Sequence, residues 1–424
     1  MYGDTILATA RIWRLRAGIG RLLLRSGLIL AILLGFFIGV FAVADHAAFG
    51  GEPAGGRLAR TQQSPEWRDG HFQNTQPIWI DTRRAFLHFA FGAASKNVEP
   101  NAPIPVVHTD SAFLAQPPAS GLRITWFGHS ASLVEIDGSR ILIDPFWSER
   151  ASPVTWAGPK RWYPPPIALE NLPIIDAVVI SHDHYDHLDR FAIESMKTWK
   201  TVFIVPLGVG AHLSRWGIPD ERIIELDWWQ TARVGNLSVV ATPSRHSSGR
   251  LSPDSDKTLW AGYAMLGAEH RVWYSGDTSF HAALSEIGAR FGPFDATLIE
   301  SGQYDGTWPD NHLGPEQAAE AHVRVRGRAM IPVHWALLKL ATHGWTEPAE
   351  RVLAAAQCRG IEVLVPRPGE AIEPTLHPQI PRWWPSLPWQ SAAQNPIVST
   401  KNGNPRERVD IASCGLDQKS PSTP

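Results

Sequence analysis

Ser181-His182-Asp183-His184-Tyr185-Asp186-His187-Leu188-Asp189 is the stretch from which the rest of the chain can be read. Just ahead of it, Ile174-Ile175-Asp176-Ala177-Val178-Val179-Ile180 is short, apolar and rich in β-branched residues, the pattern of a buried strand. In an extended segment alternate side chains share a face, so His182 and His184 can grip one ion together. Asp186 and His187 follow as the chain turns into a helix expected over 188–198, and they point towards a second ion. Imidazole and carboxylate at this density suit zinc or a similar first-row divalent ion. A solvated polar loop has no need of four potential ligands packed so closely.

Outward from this run the pattern is of short strands and turns. Residues 122–127, 132–136 and 140–143 read as a meander, with Asp137-Gly138 as a hairpin turn. Strands are expected at 177–180 and 201–205, and a second set at 237–241, 259–266, 271–275, 296–300, 329–333 and 361–365. Helices near 315–326 and 346–357 are interleaved with them, which makes an α/β sandwich of two strand-rich halves. Three further ligand candidates stand just past strands: His246, Asp277 in Gly276-Asp277-Thr278, and His334. Strand ends are where a rigid sheet presents functional groups. Any one of the three alone reads more simply as a hydrogen-bonded structural residue; their order after the first run is the signal.

The His-x-His-x-Asp-His run resembles the metal-binding signature of the metallo-β-lactamase superfamily. Trp126-Phe127-Gly128-His129-Ser130, Leu142-Ile143-Asp144-Pro145, Arg150-Ala151-Ser152-Pro153, Gly158-Pro159-Lys160-Arg161 and His184-Tyr185-Asp186-His187-Leu188-Asp189 are similar to one branch of it. That branch holds the N-acylphosphatidylethanolamine-hydrolysing phospholipase D and its bacterial relatives. The likeness runs over about 122–369 and implies the four-layered αββα fold.

The resemblance also implies a dinuclear site with two zinc ions. His182, His184 and His246 would hold one metal, and Asp186, His187 and His334 the other. Asp277 would bridge them, since its two carboxylate oxygens can each face a cation. Two close cations acidify a water between them, so hydroxide is available at neutral pH and no serine or cysteine nucleophile is required. Asp144 could orient a ligating histidine by accepting its second N–H, or could be a turn residue before Pro145. His129 lines the site or caps a turn, and Tyr185 touches a substrate oxygen or packs. His312, heading His312-Leu313-Gly314-Pro315-Glu316-Gln317-Ala318, is similar to a His-x-x-Pro-Glu-Glu-Ala element of the branch. It could bind a phosphate oxygen or protonate a leaving group, with helix capping as the bland alternative. Lys257 and Arg250 could meet an anionic substrate, although solvent exposure is the default for both.

Two stretches depart from the branch. Ile299-Glu300-Ser301-Gly302-Gln303-Tyr304 stands where Ile-Gly-Ala-Tyr is usual, and Ala336-Leu337-Leu338 where Gly-Thr-Phe is usual. They leave the reaction open: phosphodiester cleavage of the phospholipase D type, with an N-acyl phospholipid or another small molecule as substrate, or opening of a lactone, ester or amide. A non-catalytic, membrane-anchored envelope protein is the reading from another class.

Composition fits an enzyme and no nucleic-acid binder: 424 residues, 44% hydrophobic, with a formal charge of −2 and no concentrated basic patch. Residues 1–26 form a basic leader and 27–44 an uncharged apolar run that spans about 27 Å as a helix, close to bilayer thickness. Arg11, Arg14, Arg16, Arg21 and Arg25 ahead of it keep the leader in the cytoplasm by the positive-inside rule, so the body is exported and tethered on the periplasmic side. Ala42-Val43-Ala44 also fits a signal-peptide cleavage site. Residues 45–120 read as linker, flexible over 52–64, with a short helix in 77–91 packed on the body; 121–369 is the catalytic domain. Residues 370–424 are a tail rich in Pro and Trp whose last twenty residues look disordered, while Trp383, Trp384 and Trp389 dock on the body or a membrane interface. Cys358 and Cys414, far apart, read as separate thiols rather than a disulfide.

Overall fold

The computed structural model describes residues 25–29, 31, 32, 35, 46–91, 97–250 and 255–410. The chain divides into two compact units, Met1–Ala48 and Phe49–Pro424. Most of the apolar run over 27–44 lies outside the described residues, and among those described no helix is long and apolar enough to cross a membrane.

The second unit opens with α1 (Gly55–Thr61), a hairpin of β1 (Trp67–Arg68) and β2 (His71–Phe72), α2 (Thr82–Phe91) and α3 (Ser111–Ala115). The first half of the sandwich follows: β3 (Leu122–Gly128), β4 (Ala131–Ile136), β5 (Ser139–Ile143), β6 (Ala177–Val179), α4 (Arg190–Ser195), β7 (Val202–Pro206), α5 (Gly210–Arg215) and β8 (Ile223–Leu226). The second half holds β9 (Thr231–Val234), β10 (Leu237–Thr242), β11 (Gly262–Leu266), β12 (Arg271–Tyr274), α6 (Ala283–Phe291), β13 (Phe294–Glu300), α7 (Pro315–Arg324), β14 (Gly327–Val333), α8 (Glu347–Arg359) and β15 (Glu362–Val363). The last strand, β16 (Ala371–Ile372), returns to the first sheet.

The two seven-stranded sheets run β16-β3-β4-β5-β6-β7-β8 and β15-β14-β13-β12-β11-β10-β9. Each is antiparallel on one side and parallel on the other, the change falling at β5 in the first and β12 in the second. The strand period of two sorts side chains into separate cores. Ile141 and Ile143 face the core between the sheets, whereas Leu142 faces an outer core with Ala192 and Ile193 of α4 and Leu213 of α5. In the other half Ala329, Ile331 and Val333 point inward, and Met330 points out to Leu284, Ala318 and Val352 of α6, α7 and α8. Helices therefore cover both outer faces, and strands such as β3 and β13 are buried along their whole length. This is the αββα sandwich expected from the sequence.

The segments before and after the sandwich depart from expectation. The flexible linker read over 52–64 contains α1, fixed by Arg57 Nε donating to Glu225 Oε2 at 2.9 Å. The helix expected to pack within 77–91 is α2, but Phe86 is 68% and Leu87 45% exposed. In the tail, Trp383 stacks on Trp335 with centroids 5.5 Å apart and Trp384 meets it edge-on at 5.8 Å. Cys414 and the rest of 411–424 lie outside the described residues, and with them the reading of Cys358 and Cys414 as separate thiols.

Candidate metal centre

Every ligand candidate follows a strand, and those strand ends meet at one end of the sandwich between the two sheets. The run Ser181–His187 follows β6, His246 follows β10, Asp277 follows β12 and His334 follows β14. Asp277 Oδ2 is central: it lies 3.1 Å from both His187 Nε2 and His334 Nε2, and 3.8 Å from both His182 Nε2 and His246 Nε2. On one side of it His184 Nδ1 sits 2.8 Å from His182 Nε2 and 3.4 Å from His246 Nε2. On the other, Asp186 Oδ2 sits 3.3 Å from His187 Nε2 and 3.4 Å from His334 Nε2. The seven residues thus gather as two triads of ligand atoms with one carboxylate between them.

The donor set fits cations. His187 Nε2 and Asp277 Oδ1 are buried without a hydrogen-bond partner, a costly state that a cation at the same place removes. Burial holds His182, His184 and His246 below the ordinary imidazole range, with like charge from neighbouring rings adding to it at His182, so their nitrogens are free to coordinate. At His334 burial works the same way but is outweighed by the Asp277 charge and by hydrogen bonds to Asp186 and Glu300, which push it up to about 10. His187 is likewise raised against burial by Asp277 and Asp186. The two carboxylates beside these rings are the negative charge that a second cation would offset.

Behind the ligands stands a layer that fixes each ring. His187 Nδ1 donates to Asp144 Oδ2 at 2.7 Å, and the same carboxylate accepts Ser181 N–H at 2.7 Å and the Tyr274 hydroxyl at 2.5 Å. Asp144 therefore orients a ligand and is not merely a turn residue. His246 Nδ1 lies 2.8 Å from the Asn311 carbonyl, and His182 Nδ1 lies 2.9 Å from Ser181 Oγ. His129 belongs to the site: its Nε2 is 2.7 Å from Asp186 Oδ2, and burial with the neighbouring His334 charge pushes it down to about 3. His129, Asp144 and His334 all have left-handed backbone, with φ of 53°, 38° and 67°. His312 stands beside the ligands, with Nδ1 2.8 Å from Glu300 Oε2 and 3.9 Å from Asp277 Oδ2.

Tyr185 is not gathered with the ligands: its hydroxyl donates to the Arg250 carbonyl at 3.1 Å and the Arg250 guanidinium lies 3.9 Å from its ring centroid. Arg250 itself is buried and donates to the Asp183 and Leu188 carbonyls, contrary to its expected exposure. Lys257 donates to the Gly70 carbonyl at 2.6 Å. Glu300 is the residue that sequence reasoning passed over. It ends β13, is fully buried, and accepts Thr278 N–H at 2.6 Å and Leu313 N–H at 3.2 Å on one oxygen; the other faces His312 Nδ1 and, at 3.4 Å, His334 Nδ1. Its signal was there, a carboxylate ending an apolar strand beside two ligand-bearing neighbours.

The profile described as the Beta-lactamase superfamily domain matches residues 139–335. An uncharacterised Mycobacterium tuberculosis protein is 45% identical over 346 residues, covering 80% of this chain and 92% of that one. A Caenorhabditis elegans protein named N-acyl-phosphatidylethanolamine-hydrolyzing phospholipase D 1 is 37% identical over 246 residues, 55% of this chain and 69% of its own. A metallo hydrolase from Ignicoccus hospitalis, known by its structure, is 27% identical with a TM-score of 0.46, covering 59% of this chain and 97% of that one. Fold, gathered ligands and relatives together define a metal-dependent hydrolase. The chain belongs to the metallo-β-lactamase superfamily, in the branch of the N-acylphosphatidylethanolamine-hydrolysing phospholipase D and its bacterial relatives.

Proposed function

We propose that this chain is a dinuclear zinc hydrolase that cleaves a phosphodiester, with an N-acyl phospholipid as the substrate class. The observation that carries the reading is the place of Asp277 Oδ2, within 3.8 Å of a ligand nitrogen of His182 and His246 on one side and 3.1 Å from His187 and His334 on the other. His182, His184 and His246 would hold one ion, Asp186, His187 and His334 the other, and Asp277 both. When bound, two such cations supply Lewis acidity, which acidifies water and offsets negative charge on the attacked group. The remaining work falls to the chain. With His312 Nδ1 directed to Glu300, its other ring nitrogen, Nε2, is the atom that would meet a substrate oxygen, and when the ring carries both protons it would pass the one on Nε2 to a leaving group. Asp144 and His129 keep His187 and Asp186 in place while this happens.

A second reading, hydrolysis of a lactone, ester or amide, is favoured by one observation. Arg250 and Lys257, the cations expected to meet an anionic substrate, make their hydrogen bonds to backbone carbonyls of the protein itself. A screen of bis-p-nitrophenyl phosphate, N-acyl phospholipids and simple lactones, run beside elemental analysis, tests both. Two zinc-like ions per chain and turnover on the phosphodiesters are expected. Turnover confined to lactones transfers the assignment to the second reading, and folded protein with only traces of metal refutes both.

The proposal includes export and tethering by the N-terminal apolar segment, with the catalytic body on the periplasmic side. The arginines ahead of the apolar run over 27–44 and the lack of charge within it support this reading. An export reporter fused after Gly50 is expected to be active only outside the cytoplasm; activity inside contradicts the assignment.

A further inference from the structure

Residues 50–81 precede the profile match at 139–335, yet they reach the neighbours of the metal ligands at two separate points. At the first, Gly51 N–H donates to His212 Nδ1 at 3.0 Å. That bond leaves the imidazole proton on Nε2, which faces Asp183 Oδ2 at 3.2 Å. Asp183 lies between the ligands His182 and His184, and its carboxylate also accepts Gly249 N–H at 2.7 Å and the Thr258 hydroxyl at 2.8 Å. The approach needs glycine, because a Cβ on Gly50 would stand 1.9 Å from His212 Nδ1 and one on Gly51 2.5 Å from the Ala211 carbonyl oxygen.

At the second point Asn74 grips the backbone of His246 from both sides. Its amide donates to the His246 carbonyl at 2.7 Å, and its carbonyl accepts His246 N–H at 3.1 Å. Between the two points the segment is held down by Arg57 and Arg60 on Glu225, and by Phe72 N–H on the Asp256 carbonyl. Both contacts bear on one triad, His182, His184 and His246. The other triad takes its support from Asp144, His129 and Glu300, and Asp144 also reaches His182 through Ser181.

We infer that residues 50–81 brace the His182–His184–His246 triad, and that Asn74 and His212 are positioning residues which set the metal affinity of that one subsite. A ligand nitrogen displaced by a few tenths of an ångström leaves the bonding range of a small divalent ion, and changes of this outer kind typically lower affinity about 10- to 100-fold. The inference rests on the reading of two metal subsites.

The test titrates zinc into full-length protein in detergent against a chromophoric chelator, and compares melting of the metal-free proteins. Asn74→Ala and His212→Ala are each expected to weaken one of the two ions by at least about 10-fold and leave the other within about threefold. His212→Gln, which keeps an N–H donor for Asp183, should recover part of the loss, and metal-free melting should change little. Equal weakening of both ions together with a lower metal-free melting temperature would show a merely structural role and overturn the inference. So would unchanged affinity at both sites. If wild type itself holds fewer than two ions, the dinuclear reading fails and the brace with it; two ions in wild type with insensitive variants refutes the brace alone.

Discussion

Asp277→Asn is expected to lower turnover by at least about 100-fold, beyond the 10- to 100-fold typical of losing an outer partner, with metal content dropping towards one ion per chain. The substitution keeps the shape but replaces one oxygen with an NH₂ group that cannot ligate. It also removes the negative charge that lies within reach of four ligand nitrogens, from 3.1 to 3.8 Å away. Two cations held by the two triads would then repel without a shared counter-charge. Asp144→Asn should do less, since its carboxylate acts through His187 and keeps some acceptor capacity as an amide. Elemental analysis beside steady-state kinetics reads both changes; near-normal turnover with two ions retained in Asp277→Asn would rule out the shared-carboxylate mechanism.

Arg245→Met should have the largest effect on stability, about 3–5 kcal/mol. Arg245 is fully buried, 3.0 Å from the equally buried Asp310, and donates to the backbone carbonyls of Gln76, Pro77, Phe280 and Thr400. It thus joins the segment before the sandwich to the tail after it, next to the ligand His246. Removing the guanidinium leaves the Asp310 charge uncompensated in the interior, which is the expensive part. The double change Arg245→Met/Asp310→Leu should therefore cost less than the sum of the two single changes. Denaturant unfolding of the four proteins checks this, and strict additivity would show that the pair is not coupled.

The ligands were legible because the chemistry is concentrated in sequence. Four donors lie between His182 and His187, and the remaining three each end an apolar run. The two sheets were legible for the same reason, through alternation and turns. β9 should have been found: Thr231-Ala232-Arg233-Val234 alternates exposed and buried, and Gly235-Asn236 is a hairpin turn into β10. β8 is harder, since Glu225 interrupts it to accept the Gly208 and Gly210 N–H groups. Asn74 and His212 left no local trace at all. Asn74 meets its partner 172 residues away, and His212 meets Gly51 across 161, both through backbone atoms that any residue type presents. For the same reason the polar composition of 52–64 suggested a loose linker when its arginines are taken up by Glu225.

The left-handed backbone at His129, Asp144 and His334 bears on what these three positions are for. A side chain other than glycine in that conformation costs on the order of 1–3 kcal/mol, and glycine would relieve the strain at each place. Glycine would also remove the partner of Asp186 at 129, the partner of His187 at 144 and a ligand at 334, so these strand ends hold their side chains for what those side chains contact and not for the ease of the turn.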